Sequence, residues 1–310
     1  MAVTIAEITK LRKLSGAGMM DCKKALEESN GDIEKAMEII RKKGQAVAAK
    51  RSDREASEGC VLVKAENGFG AIIALKCETD FVAKNAVFQA YVADVAAQAL
   101  ASSAADMDSF MAEKWAKDES LTVKEALSSQ ISIIGENMNI RRFEKVTEEN
   151  GFVASYIHAG GKIGVLVDVE TNVVNDEIKE MARNVAMQAA ALKPQFTSRD
   201  EVDEAFIEHE KSILMAQIQN DPKEASKPEK VIQGMIQGRI NKELKEFCLL
   251  DQVYVKAEDG KQSVAQYVAA VAKANNADVK IKKFVRFETG EGLEKKNEDF
   301  AAEVAAQMGK

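Results

Sequence analysis

The sequence predicts an α+β protein assembled from several units, and three observations carry that prediction. The first fifty residues hold three short helical patterns and no strand pattern. Between Cys60 and Leu192 an apolar strand followed by an alanine-rich helix occurs twice. All three prolines, Pro194, Pro222 and Pro228, fall in the next stretch, and the last two bracket a polar turn between two long helical stripes. At 310 residues and 33.8 kDa the chain can form two or three compact units, each with its own core.

Thr4 and Glu7 make a capping box for a helix carrying Ile5, Ile8 and Leu11, which Ser15-Gly16-Ala17-Gly18 ends. Met20 to Ser29 forms a second helix, closed by Asn30-Gly31. Asp32 caps a third, with Ile33, Ala36, Met37 and Ile40 on one face, stopping at Gly44. Helices this short bury little surface, so the unit suits docking through Met19 and Met20. Pattern alone places these two methionines equally well in the core. Residues 45–58, with Lys50, Arg51 and Arg54, read as a linker or a solvated helix.

Ala71-Ile72-Ile73-Ala74-Leu75 reads as a buried strand and Ala83 to Leu100 as a helix. Cys77-Glu78-Thr79-Asp80-Phe81-Val82-Ala83 therefore lies at a strand-to-helix junction. Pattern alone makes Asp80 a helix cap and Phe81 a staple onto the core. In the second copy, Val165 to Thr171 followed by a helix ending near Ala189-Ala190-Ala191, Asn172 stands for Asp80 and Val173 for Phe81. A junction serving only the fold would need no such difference, so the charge and ring of the first copy point to a site.

Val202, Phe206, Ile213 and Ile218, then Ile232, Ile236, Ile240, Leu244 and Phe247, form the stripes of an antiparallel helical hairpin. Gln252-Val253-Tyr254-Val255 reads as a strand, Val264 to Ala274 as a helix, Val279 to Phe287 as a strand and Asp299 to Met308 as a terminal helix. The expected units are residues 1–55, 56–150, 151–196 continued by 248–288, the inserted hairpin 197–247, and 289–310.

A net charge of −7 and a pI near 5.3 argue against a phosphate-backbone surface. The first residues carry no basic segment, and no stretch approaches the ~20 apolar residues of a membrane span, so a cytoplasmic location is expected. Cys22, Cys60, Cys77 and Cys248 are widely spaced, with only His158 and His209 to complement them, and form no zinc pattern. Gly161-Lys162 lacks the phosphate-loop spacing and is followed by Ile163 rather than Ser or Thr. Gly16-x-Gly18 lies between helices, not after a strand. No paired carboxylates or serine–histidine spacing stand out, and His158 reads as a structural or contact histidine rather than a base. No covalent chemistry, metal or cofactor is expected of the chain.

Five motifs give the sequence a family likeness. They are Ser15-Gly16-Ala17-Gly18-Met19-Met20-Asp21-Cys22-Lys23-Lys24-Ala25-Leu26 with Asn30-Gly31-Asp32-Ile33; Thr79-Asp80-Phe81-Val82-Ala83; Ile134-Gly135-Glu136-Asn137 leading to Ile140-Arg141-Arg142; Tyr156-Ile157-His158 leading to Gly160-Gly161-Lys162-Ile163-Gly164; and Phe287-Glu288-Thr289-Gly290-Glu291-Gly292. In this order, spanning Thr4 to about Val304, the chain resembles the bacterial elongation factor Ts family. The resemblance implies a guanine-nucleotide exchange factor for elongation factor Tu, with GDP or GTP and Mg²⁺ held by that partner. It implies that Phe81 inserts between helices of the partner's nucleotide domain and that Asp80 helps disturb the surroundings of its Mg²⁺. The partner-binding residues it implies are Thr79, Asp80, Phe81, Val82, Met19, Met20, Lys23, Ile134, Gly135 and His158. It also implies a ubiquitin-associated-like amino-terminal module, a coiled-coil hairpin and a carboxy-terminal helix module. The alternative is a non-catalytic adaptor that binds helices or peptides through its amino-terminal module.

Overall fold

The computed structural model describes residues 3–66 and 68–292, so the expected helix over Asp299–Met308 lies outside the described residues. In chain order the elements are α1 (Ile5–Ser15), α2 (Met19–Glu28), α3 (Ile33–Arg51), β1 (Glu58–Glu66), β2 (Phe69–Cys77), α4 (Asp80–Ala83), α5 (Ala86–Ala101), α6 (Met107–Ala112), β3 (Lys114–Trp115), β4 (Asp118–Thr122), α7 (Val123–Ile134), β5 (Asn139–Thr147), β6 (Gly151–His158), β7 (Ile163–Thr171), α8 (Asp176–Leu192), α9 (Glu204–Asn220), α10 (Pro222–Ala225), α11 (Glu229–Phe247), α12 (Val264–Ala274) and β8 (Val279–Glu288). The fold is mixed α+β.

The two strand-and-helix copies become two three-stranded antiparallel sheets, ordered β1-β2-β5 and β6-β7-β8. The apolar runs that read as strands are the central ones, β2 and β7, and α5 and α8 cover one face of each. Phe88, Val92 and Val95 pack with Ile73 and Leu75 in the first copy, and Ile178, Met181 and Val185 with Val165, Val167 and Val169 in the second. The remaining faces pack on each other: Val61, Val63, Ile72 and Val146 meet Val153, Leu166, Val285 and Phe287. Close approach there needs glycine. A Cβ on Gly70 would sit 2.6 Å from a Val153 methyl, and one on Gly164 2.6 Å from a Val61 methyl.

At the amino terminus the Thr4–Glu7 capping box forms as the sequence predicts, and Gly16 ends α1 in the left-handed region. Ile8, Leu11, Cys22, Leu26 and Ala36 make a small core. One expectation fails here: the third helix does not stop at Gly44, because α3 runs through to Arg51 and packs along α7, so of the two readings of residues 45–58 the solvated helix holds as far as Arg51. Gly44 is buried against Ser128 and Ser132 of α7, and Ala48 packs on the main core. That burial offsets the roughly 1 kcal/mol that glycine costs inside a helix.

Gln252–Val255 is not a strand. A 3₁₀ turn over Leu249–Asp251 leads into it, its only strand-like pairing among the described residues is one bridge between Val253 and Ser263, and a side chain serves the Val253 carbonyl and the Val255 N–H. The fully buried Gln188 amide of α8 donates to the Val253 carbonyl at 3.0 Å and accepts from the Val255 N–H at 2.9 Å. A glutamine replaces a neighbouring strand. Helices α9 and α11 pack through Leu214, Ile218, Ile236, Ile240 and Leu244. Leu214 takes the place expected for Ile213, which is exposed. Phe206 meets Phe196 and Phe247 edge-on at the base of the pair.

Candidate functional site

Strand β2 ends at Cys77, buried between β1 and β5, and the chain turns into the single helical turn α4. The expected helix from Ala83 to Leu100 is thus two pieces, α4 and α5, with Asn85 capping the second through the Val87 N–H at 2.8 Å. Nor is Asp80 the cap of the first. Thr79 holds that place, its hydroxyl accepting from the Val82 N–H at 3.3 Å. Val82 and Ala83 pack onto the core, which leaves Phe81 on the outer side of the turn. It is 83% exposed and does not staple the helix. Asp80 is also exposed and pairs with Lys84 at 2.7 Å. The hydrogen bond from Lys84 holds its carboxyl below the usual carboxylate range.

The junction is tied to the turn after α7. Gly135, in the left-handed region at φ +88, ends α7, and the next residue reaches across. One Glu136 oxygen accepts from the Glu78 and Thr79 amides, each at 3.0 Å, and the other accepts from the Thr79 hydroxyl at 2.6 Å. Glu78 answers by accepting from the Asn137 N–H at 2.5 Å and pairs with Arg54 at 3.5 Å. Ile134 packs half-buried on the same core as Val82. The structure thus brings Thr79, Asp80, Phe81 and Val82 together with Ile134 and Gly135.

His158 ends β6, exposed, with its Nδ1 3.1 Å from the Tyr156 hydroxyl. The turn after it presses on β1: the Val61 N–H donates to the Gly161 carbonyl at 2.6 Å, and a Cβ on Gly161 would sit 2.5 Å from Cys60 Sγ. Cys60 in turn reaches Gln89, whose amide donates to the Ala83 carbonyl. His158 therefore connects to α4 through three intermediates, Gly161, Cys60 and Gln89. Met19 and Met20 are 53% and 62% exposed at the start of α2, and Lys23 pairs with Glu27 on the same helix. Their link to the junction runs through the loop before α2, where Gly16 lies against Ile133.

The arrangement offers contact rather than chemistry. Burial pushes the Cys77 thiol up to about 12, with the Glu136 and Glu58 carboxylates adding to the effect, so it stays a neutral thiol at neutral pH. Among the described residues no group of three or more His, Cys, Asp or Glu is placed to hold a metal, and no helix is long and apolar enough to cross a membrane. What projects is an aromatic ring beside a carboxylate, on a braced backbone. Sequence reasoning quoted Glu136 and Asn137 within a motif but did not single them out, nor Glu78. The available signal was an acidic residue directly after a helix-ending glycine.

Residues 78–291 match the family described as Elongation factor TS, a span that begins at the junction itself. The chain belongs to the elongation factor Ts family. It is similar along its whole length to the Elongation factor Ts of Clostridium botulinum (strain Eklund 17B / Type B), at 46% identity over 310 residues covering 99% of this chain and 100% of that one. The same identity holds against Elongation factor Ts of Clostridioides difficile (strain 630) over 308 residues, 99% of each chain. Against that of Trichlorobacter lovleyi (strain ATCC BAA-1151 / DSM 17278 / SZ) it holds over 315 aligned residues, 100% of this chain and 99% of that one. Membership of the elongation factor Ts family makes the protein a translation elongation factor, and the similarity includes the amino-terminal helices that precede the family span.

Proposed function

We propose that the protein is a guanine-nucleotide exchange factor that binds elongation factor Tu·GDP and accelerates GDP release by inserting the Asp80-Phe81 junction near the partner's nucleotide site. The observation that carries this reading is a phenylalanine held 83% exposed on a turn whose backbone is fixed by carboxylate hydrogen bonds. An exposed ring costs solvation in the free protein, and burying it in a partner returns roughly 1.5–3 kcal/mol. That is a factor of about ten to a hundred in an equilibrium. Phe81 wedges between helices of the nucleotide domain, and Asp80, already ionised, perturbs the bound Mg²⁺. Mg²⁺ neutralises phosphate charge, so displacing it leaves the diphosphate less well held. Factor and GDP then oppose each other by one coupling free energy, whichever binds first.

Ile134 and Gly135 border the wedge, and His158 adds a contact beyond β1. Met19, Met20 and Lys23 form a second contact on the three amino-terminal helices, a ubiquitin-associated-like module over residues 1–55. The core units are residues 56–150 and 151–196 with 248–288. Between them the pair α9 and α11 is a coiled-coil arm over 197–247. The protein works in the cytoplasm, makes and breaks no covalent bond, and relies on nucleotide and metal held by its partner.

The test is the release of fluorescent GDP from elongation factor Tu with the protein in catalytic amounts. Each molecule should discharge many partners. An unchanged release rate would favour the adaptor reading, in which the exposed methionines bind but nothing is exchanged.

A further inference from the structure

The reading of Phe81 as a wedge leaves open what keeps it in place, since a four-residue helix has no stability of its own. The backbone amides of Glu78 and Thr79 lie just past the last paired residue of β2, where β1 ends opposite Cys77 and β5 opposite Lys76. Neither amide has a strand to bond. Glu136 takes both with one carboxylate oxygen at 3.0 Å and takes the Thr79 hydroxyl proton with the other at 2.6 Å.

That last bond has a directional effect. A hydroxyl has one proton and two lone pairs. With the proton committed to Glu136, a lone pair of Thr79 faces the Val82 N–H and closes the first turn of α4. The direction of α4, and with it the side on which Phe81 emerges, is therefore set by a residue 57 positions after Thr79 in the chain. The clamp is reciprocal, because Glu78 accepts from the Asn137 N–H, and it reaches the turn that follows α3, because the Asn137 side chain donates to the Arg54 carbonyl at 2.7 Å.

We infer that Glu136 is the positioning residue of the exchange site: it touches neither nucleotide nor metal, and it acts by orienting Thr79 so that Phe81 is presented before the partner arrives. The inference rests on the exchange reading above. Glutamine at this position keeps the shape but offers one acceptor oxygen in place of two and loses the charge. It can still accept from both amides, but without charge assistance, and it can meet the hydroxyl only by donating to it, which releases the Thr79 proton that Glu136 holds.

The test compares full-length wild type, Glu136→Gln, Thr79→Val, Phe81→Ala and the double variant Glu136→Gln/Phe81→Ala. Release of fluorescent GDP from elongation factor Tu is measured across factor concentration. For Glu136→Gln the maximal rate should fall about tenfold, the loss of one or two charge-assisted hydrogen bonds, with little change in the concentration giving half the effect, because association through the amino-terminal helices is untouched. Thr79→Val should move the same way. In the Phe81→Ala background Glu136→Gln should cost nothing further, since there is no ring left to present. Full activity of Glu136→Gln, or a loss repeated undiminished in the double variant, would overturn the positioning role. Amide hydrogen exchange of the free proteins separates this from the wider reading: Glu78 and Thr79 should exchange faster in Glu136→Gln while β2 is unchanged. A wild type without activity would sink the exchange reading, whereas unaltered exchange at those two amides would sink the clamp.

Discussion

Phe81 stays in solvent because the next two residues of α4, Val82 and Ala83, take the places on the core, and because Thr79 rather than Asp80 caps the turn. Which of two adjacent polar residues caps a short helix is not legible in a pattern of residue types. It depended on Glu136, distant in sequence, claiming the Thr79 hydroxyl proton. Another carboxylate, this one buried, behaves differently. Asp168, on the central strand β7, is buried with one oxygen lacking a partner, against the buried Glu148 that follows β5. Burial, and then the Glu148 carboxyl, raise the Asp168 pKa. Burial also pushes Glu148 up, but hydrogen bonds from Asp168, the Asn150 amide and Lys282 outweigh it and hold Glu148 below its usual value. Lys282, 3.0 Å from Glu148, and Lys283, paired with Asp168 across the strands, only partly relieve the repulsion. Below about pH 4 Asp168 is protonated in folded and unfolded chains alike and carries no penalty. As the pH rises from there through its raised folded value, the unfolded chain gives up the proton first, so native stability falls. Asp168→Asn should therefore be more stable than wild type near neutral pH, with the advantage shrinking towards about pH 4. Urea midpoints at two pH values measure this, and an advantage independent of pH would contradict it.

At the scale of elements, local signals were read well where the decision was local. The Thr4–Glu7 capping box, the strands around Ile73 and Val167, and α12 from Val264 to Ala274 form where the residues say. The failures share one cause, a tertiary partner that overrides a local rule. Gly44 reads as a helix stop, yet α3 passes through it where it packs on α7; Gln252–Val255 reads as a strand, yet Gln188 bonds the Val253 carbonyl and the Val255 N–H. Gly44 gives a two-sided prediction. A Cβ there would meet Ser128 and Ser132 at 3.7 Å, ordinary contact, so Gly44→Ala should stabilise by up to about 1 kcal/mol through helix propensity. Gly44→Leu should destabilise by about 1–3 kcal/mol by forcing the helices apart. Thermal unfolding of both variants checks this, and equal effects would show that the crossing is loose. The same crossing means that removing α3 with the rest of the amino-terminal helices would uncover core surface at Ala48.

Across the whole molecule, the repeat visible in the sequence becomes two sheets packed face to face, and only one copy's strand-to-helix junction carries an exposed ring. In the second copy the corresponding Val173 packs on its core and Asn172 accepts from the Asp278 N–H, so that junction serves the fold. The arm formed by α9 and α11 has its own buried stripe, with Arg239 gripping Glu224 near its tip at 2.6 and 2.8 Å. Replacing Gln217 to Gln233 by a short glycine-rich turn removes α10 and roughly one turn of each long helix, while Leu214, Ile236, Ile240 and Leu244 remain. The shortened protein should fold and keep most of its GDP-release activity. A loss as deep as that of Phe81→Ala, with the fold preserved, would make the arm part of the exchange surface.

The central claim is that Phe81 is exposed in order to act on a partner, and Phe81→Ala tests it most directly. The side chain is 83% exposed, so the account predicts a melting temperature unchanged within the roughly 0.5 kcal/mol typical of surface substitutions. It also predicts a fall in GDP release from elongation factor Tu of about ten- to a hundredfold, the worth of one buried aromatic at the partner. Asp80→Ala should act in the same direction and more weakly, since its carboxylate perturbs rather than wedges. A variant that loses several kcal/mol of stability while each folded molecule exchanges nucleotide at the wild-type rate would contradict the account.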